Sequence, residues 1–266
     1  ALDRQDPSFT NPKQFLKHDL CNPLPVSESL SKIDLIIHLA ANARVWELVE
    51  DPEKALENVT STHNIFEFAR KNGVKKLMFA SSREVYGNSS TNLRVSELES
   101  SQRDCESTYA ASKLFGEAYC HAYRRCYGVD TQILRFSNVY GKYDFSNRFI
   151  PKVIRQLQNN ETVTIFGAKK MLDFTHIHDV VFGVLSLINK WPSGEWKEWN
   201  IASGKAYLLV SVAEKLKEAL QSSSKIVLED SHVGEIIQYE ADISRMNVEV
   251  GWKPLIDLQN GLGFAI

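Results

Sequence analysis

Apolar runs that end in small or hydroxylated residues recur along this chain with helical segments between them, and that alternation constrains the fold more than any other feature. The clearest run is Val74-Lys75-Lys76-Leu77-Met78-Phe79-Ala80, which follows Gly73 and leads into Ser81-Ser82-Arg83-Glu84-Val85-Tyr86-Gly87. A second, Ile33-Asp34-Leu35-Ile36-Ile37-His38-Leu39, ends in Ala40-Ala41-Asn42-Ala43, and a third, Thr131 to Phe136, ends at Ser137-Asn138. Strands separated by helices imply an α/β chain with a mostly parallel sheet and crossover helices. Such sheets bind ligands at the carboxyl ends of their strands, where the polar residues collect here.

The helices have readable ends. Asp51-Pro52 supplies an N-cap followed by proline at the first helical position, and Ala55, Val59, Ile65, Phe66 and Ala69 give apolar spacing before Gly73, so a helix is expected over roughly 52–72. The next is expected from Ser107 to Gly128, with Leu114, Ala118 and Ala122 packing inward. It carries Tyr109 and Lys113, four residues apart and hence on one face. A phenol titrates near ~10 and is a poor base at neutral pH unless a nearby positive charge favours the phenolate. Lys113 is placed to supply that charge, which makes Tyr109 a candidate general base.

Composition narrows the alternatives. The 266 residues are 43% hydrophobic with a formal charge of -2, which gives no electrostatic footprint for nucleic acid or a membrane surface. The basic pairs Lys75-Lys76, Arg124-Arg125 and Lys169-Lys170 read as solvated faces. Cys21, Cys105, Cys120 and Cys126 show no CxxC spacing, as expected of reduced thiols in a cytoplasmic protein. There is no apolar run of about 18 residues, and no signal-peptide pattern is seen.

Five stretches in order resemble the extended short-chain dehydrogenase/reductase family, in particular the NAD-dependent nucleotide-sugar epimerases and dehydratases. They are His38-Leu39-Ala40-Ala41, Ser81-Ser82 through Gly87, Tyr109 through Lys113, Arg135 through Gly141, and Asp173-Phe174-Thr175-His176-Ile177-His178-Asp179. Ala241-Asp242-Ile243-Ser244 and Gly251-Trp252-Lys253-Pro254 close the series. The resemblance implies a Rossmann-type doubly wound parallel sheet, formed by 1–142 and 176–204, with a smaller substrate domain formed by 143–175 and 205–266. Within the latter it implies a helix from Arg148, a strand from Thr162 to Phe166 and a helix from Leu208 to Leu220. Between those excursions, His178 to Trp191 and Glu198 to Ala202 return to the main sheet.

Residue roles follow from the same resemblance. Tyr109, Lys113, Ser82 and Glu84 are the catalytic candidates. Asp3, Asp19, Leu20, Leu39, Ala40, Ala41 and Asn58, with Tyr109 and Lys113, are the cofactor candidates; Ser82, Asn138 and Gln238 face substrate. NAD is the implied cofactor and a nucleotide sugar the implied substrate, with no resident metal. A homodimer through 52–72 and 108–127 is also implied.

Three departures matter. The glycine-rich turn that holds a dinucleotide's pyrophosphate does not occur, so the resemblance implies a sequence that begins at the end of the family's second strand. Asp3 then stands where an acid binds the ribose hydroxyls, Arg4 beside it leaves room for NADP, and Asp19-Leu20 resembles the adenine loop. Next, the acid-glutamate pair of dehydratases reads Arg83-Glu84, which favours epimerisation at C4 of the sugar; dehydratase, decarboxylase and catalytically silent readings remain open. Finally, Leu172 and Gln238 occupy positions where the family commonly has phosphate-binding arginine, leaving Lys169 or Lys170 as point charges. His176, His178 and Asp179 have the residue types of a metal cluster, against a structural reading in which Asp179 caps a helix. Trp191, Trp196 and Trp199 suit either sugar stacking or a core.

Overall fold

The computed structural model describes residues 1–6, 15–25, 32–88, 94–195 and 197–266. In chain order the elements are β1 (Leu2–Asp3), β2 (Leu16–Lys17), β3 (Leu35–His38), α1 (Val45–Glu50), α2 (Glu53–Lys71), β4 (Lys76–Ser82), β5 (Arg94–Val95), α3 (Thr108–Tyr127), β6 (Asp130–Phe136) and β7 (Asn138–Tyr140). There follow α4 (Phe149–Gln158), β8 (Val163–Phe166), β9 (Met171–His176), α5 (Ile177–Lys190), β10 (Glu198–Ile201), β11 (Ala206–Leu208), α6 (Leu209–Ala219), β12 (Ile226–Glu229), β13 (Gln238–Ala241) and α7 (Leu258–Ala265). They form two compact units, one of Ala1–Ser81 with Ser107–Leu134, the other of Ser82–Glu106 with Arg135–Ile266. The mixed α/β architecture with parallel pairing is the one the alternation implies.

In the first unit β3 and β4 pair in parallel with Leu35 opposite Lys76 and His38 opposite Phe79, and β6 is the other neighbour of β4. Parallel strands need a crossover, and α1 and α2 fill it. Leu77, Phe79, Ile133, Phe66, Ala69 and Cys120 form the core, and full burial of each large apolar side chain stabilises by ~1.5–3 kcal/mol.

Two local expectations are corrected. Asp51 does not cap α2 with its side chain: Pro52 is already helical at φ -63°, and the Asp51 carboxylate lies 3.8 Å from Lys54 Nζ. In α3, Ala118 and Ala122 are exposed and Leu114 only half-buried. The buried stripe is instead Tyr109, Ala110, Ser112, Lys113, Gly116, Glu117, Cys120 and Tyr123. Gly116 sets that face, because a Cβ there would stand 2.1 Å from the Phe79 ring, so only glycine lets α3 lie this close to β4. The helix ends are as expected: Ser107 Oγ accepts from Ala110 N at 3.1 Å, and Gly128 takes the left-handed φ of 68° beyond the last turn.

The second unit is organised around β9, which pairs with β7 and β13 in parallel and with β11 antiparallel; β13 in turn pairs with β5, and β8 with β12. Helices α4 and α6 fall where the sequence puts them. Asp179 is not the cap of α5. His176 is, its Nδ1 accepting from His178 N at 3.3 Å, while the buried Asp179 carboxylate accepts from Leu255 N and Ile256 N at 2.9 and 3.0 Å. An acid three residues inside the cap is free to hold a distant chain segment. Trp199 and Trp252 are fully buried in this unit; Trp191 ends α5 with φ 39°, and Trp196 lies outside the described residues. The four cysteines are free thiols. Among the described residues no helix is long and apolar enough to cross a membrane.

Candidate functional site

In the first unit, α3 presents Tyr109 and Lys113 on its buried face against the carboxyl end of β4. Lys113 Nζ donates to Ala80 O at 2.8 Å and lies 5.2 Å from the Phe79 ring centre and 5.6 Å from that of Tyr109. Burial pulls its ammonium down to about 8, with Glu117 opposing. His38, at the end of β3, is buried with Nε2 3.2 Å from Thr62 Oγ1. Burial first, and Lys113 second, hold it down to about 3, so it stays neutral and adds no second cation. Tyr109 packs on Leu48 and Ala55, and Thr108 Oγ1 donates to Leu48 O at 2.6 Å, fixing α1 against the start of α3.

Asn58 of α2 joins this group. Its Oδ1 accepts from Asn42 N at 2.7 Å, while its Nδ2 donates to Asn42 O at 2.9 Å and to Ser112 Oγ at 3.3 Å. The loop after β3 is thereby fixed, with Leu39 61% exposed, Ala40 exposed and Ala41 half-buried. Asp3 is exposed at the end of β1, where its Oδ1 accepts from Gln5 N at 2.9 Å. Arg4 reaches Asn42 Oδ1 at 3.3 Å and Glu57 at 3.6 Å. Asp19 Oδ1 accepts from Cys21 N at 2.9 Å, and that bond holds its carboxyl below the usual range. Leu20 is buried, its carbonyl accepting from Asn64 Nδ2 at 2.8 Å.

The remaining candidates belong to the second unit. Ser82 Oγ accepts from Glu84 N at 3.3 Å at the start of the short 3-10 turn Arg83–Tyr86. Glu84 is buried with Arg83 Nη2 at 2.7 Å; burial pushes its carboxyl up, and Arg83 and Lys170 pull against it. Lys170 is itself buried and held by Glu235 at 2.7 Å. Its charge therefore already has a partner, and Lys169 is the exposed member of the pair. Both line a cavity of about 790 Å³ with Phe166, Gly167, Ser231 and His232. Asn138 Nδ2 donates to Asp173 O at 2.8 Å. Gln238 is exposed on β13 opposite Met171, and Leu172 is buried opposite Tyr239.

Sequence reasoning missed two buried acids. Asp173 is a fully buried hub: Oδ1 accepts from Ser203 N and Oγ at 2.9 and 2.7 Å, and Oδ2 from Gly204 N and Lys205 N at 2.8 and 3.2 Å. Its signal was a charge between the apolar Leu172 and Phe174 within a strand. Glu117 accepts from Ser81 Oγ at 2.5 Å; its signal was the same four-residue step that links Tyr109 to Lys113. Among the described residues no group of three His, Cys, Asp or Glu is placed to hold a metal ion.

The first unit fits a dinucleotide. An exposed shelf of small residues follows β3, where a flat ring can approach the backbone, and a buried ammonium lies next to the candidate phenol. When bound, the group supplies a reversible hydride acceptor.

A model of the NAD-dependent epimerase/dehydratase family matches residues 1–202. A putative UDP-glucose 4-epimerase of Methanocaldococcus jannaschii is 32% identical over 95% of this chain and 83% of its own length. The dTDP-D-glucose 4,6-dehydratase of Mus musculus is 28% identical over 94% of this chain and 72% of its own. Among solved structures, a UDP-glucuronic acid 4-epimerase from Bacillus cereus in complex with UDP-glucuronic acid and NAD superposes with a TM-score of 0.82 at 26% identity, over 94% of this chain and 79% of that one. With the family model spanning most of the chain and the candidate Tyr109 and Lys113 on one buried helix face, this protein belongs to the NAD-dependent epimerase/dehydratase family.

Proposed function

We propose that this protein is an NAD-dependent nucleotide-sugar epimerase that inverts C4 of a UDP-sugar through a transient 4-keto sugar. The observation that carries the reading is the Tyr109–Lys113 face of α3, with the ammonium 5.6 Å from the phenol ring centre and held down to about 8 by burial. Tyr109 takes the proton of the sugar hydroxyl and later returns it, a duty that needs a group passing readily between its two states. Lys113 favours the phenolate by its charge and holds ribose hydroxyls of the cofactor. Ser82 hydrogen-bonds the same sugar oxygen, and Asn138 and Gln238 face the substrate. Asp3, Asp19, Leu20, Leu39, Ala40 and Ala41 line the cofactor side, and Asn58 keeps their loop in place.

In this reading 1–142 and 176–204 serve the cofactor, while 143–175 and 205–266 serve the nucleotide sugar. The cavity beside Lys169 and Phe166 takes the nucleotide part. The protein works in the cytoplasm as a homodimer through 52–72 and 108–127, which sedimentation of a monomer would refute.

Incubation with NAD and a panel of nucleotide sugars, following products and absorbance of reduced cofactor, tests the reading. Epimer without net reduction is expected, and a 4-keto-6-deoxy product would overturn it. One observation favours a second reading: the Glu84 carboxyl, raised by burial, has the character of an acid for elimination or of a decarboxylase glutamate. Release of water or carbon dioxide from the sugar would select it.

A further inference from the structure

We infer that Glu117 is a positioning residue that keeps Lys113 cationic and fixes it against the carboxyl end of β4, a role that rests on the reading of Lys113 above. Three observations meet at this point. Glu117 is one helical turn beyond Lys113 on the same buried face, so the two occupy neighbouring positions on it. Ser81 Oγ donates to Glu117 Oε1 at 2.5 Å, and the residue before it, Ala80, accepts from Lys113 Nζ at 2.8 Å. Consecutive residues of β4 therefore hold the acid and the base of α3. Between the two contacts Gly116 lets the helix press on Phe79, and both side chains are buried.

The electrostatics agree. A buried ammonium beside an aromatic ring and a single carbonyl loses its proton readily, and a carboxylate on the same face resists that loss. Among the described residues the other titratable groups beside Lys113 are His38 from β3, which is held neutral, and Tyr109 from α3 itself; on α2 the uncharged Asn58 bonds Ser112 and Thr62 bonds His38. Glu117 is the counter-charge to Lys113 in this set.

The test is the titration of Lys113 in the cofactor-free full chain, read from its side-chain carbon-13 signal and assigned with Lys113→Met. In Glu117→Gln, which keeps an acceptor for Ser81 and removes the charge, the midpoint should fall by about one pH unit, a tenfold change in the deprotonation equilibrium. Glu117→Asp should restore most of it. A midpoint unmoved in Glu117→Gln overturns the inference, since a merely structural acid would change stability and leave the lysine alone. Should Glu117→Gln not fold, Ser81→Ala poses the same question: an untethered carboxylate lies farther away on average, so the midpoint falls, and an unmoved one overturns the role. A midpoint that shifts as expected in a chain inert toward every nucleotide sugar supports Glu117 and defeats the catalytic reading instead.

Discussion

Lys113 and Asp173 are both buried charges, yet the protein treats them in opposite ways. Asp173 is surrounded by donors from Ser203, Gly204 and Lys205, so that almost every lone pair is used. Lys113 donates to one carbonyl among the described residues and otherwise faces rings and Glu117. A saturated charge knits its surroundings together, whereas an under-paired one is costly to bury and ready to bind something. The contrast sets a saturated acid apart from a candidate functional cation without reference to any relative.

The contrast can be broken in several ways. The largest effect is expected from Tyr109→Phe, which removes the proton carrier and leaves the packing on Leu48 and Ala55 intact; turnover of the nucleotide sugar should fall by about 10³-fold with an unchanged circular-dichroism spectrum. Next, Asp173→Asn sets an amide N–H against amide N–H groups and should cost about 3 kcal/mol in urea denaturation. Loss below 1 kcal/mol would mean that the hub is not structural.

Lys113→Met should act in the reverse sense. Burial holds the ammonium down to about 8 in the folded chain, below its unfolded value, so it weakens the fold fully below pH 8 and that penalty is relieved as pH rises toward the unfolded lysine value. At pH 7 Lys113→Met should therefore be more stable than the parent by roughly 2 to 3 kcal/mol while inactive, and the gap should close toward pH 10. The smallest effect is expected from Gly116→Ala, whose methyl group meets the Phe79 ring and should cost about 1 to 2 kcal/mol. Part of that loss should appear as weakened cofactor binding, because α3 would be lifted off β4.

The same pair explains how far the sequence could be read. Strand and helix alternation, the Ser107 and Gly128 ends of α3 and the Tyr109–Lys113 face depend on local chemistry, and local chemistry is written in neighbouring residues. The inward face of α3 was misread because alanine at 118 and 122 has no strong preference for either side, while the deciding contact, Gly116 on Phe79, is between residues far apart in sequence. Glu117 drew no reading from the sequence for the same reason: its bond to Ser81 joins residues 36 positions apart. Asp51 and Asp179 both stood where caps occur, but an acid near a helix start serves equally as an acceptor for a side chain or for a remote backbone, and only packing decides. The Glu84 carboxyl was legible as a candidate; its capture by Arg83 at 2.7 Å was not.

Asn58 carries one more consequence. A side-chain amide has the same donor and acceptor as a peptide group, so by engaging both Asn42 N and Asn42 O it serves that loop residue as a strand one residue long. The loop after β3 thereby gains a ladder rung without an additional edge on which another chain might pair. A carboxylate in its place would answer only half of the peptide, which is why asparagine, and not aspartate, suits a helix that must impersonate a sheet.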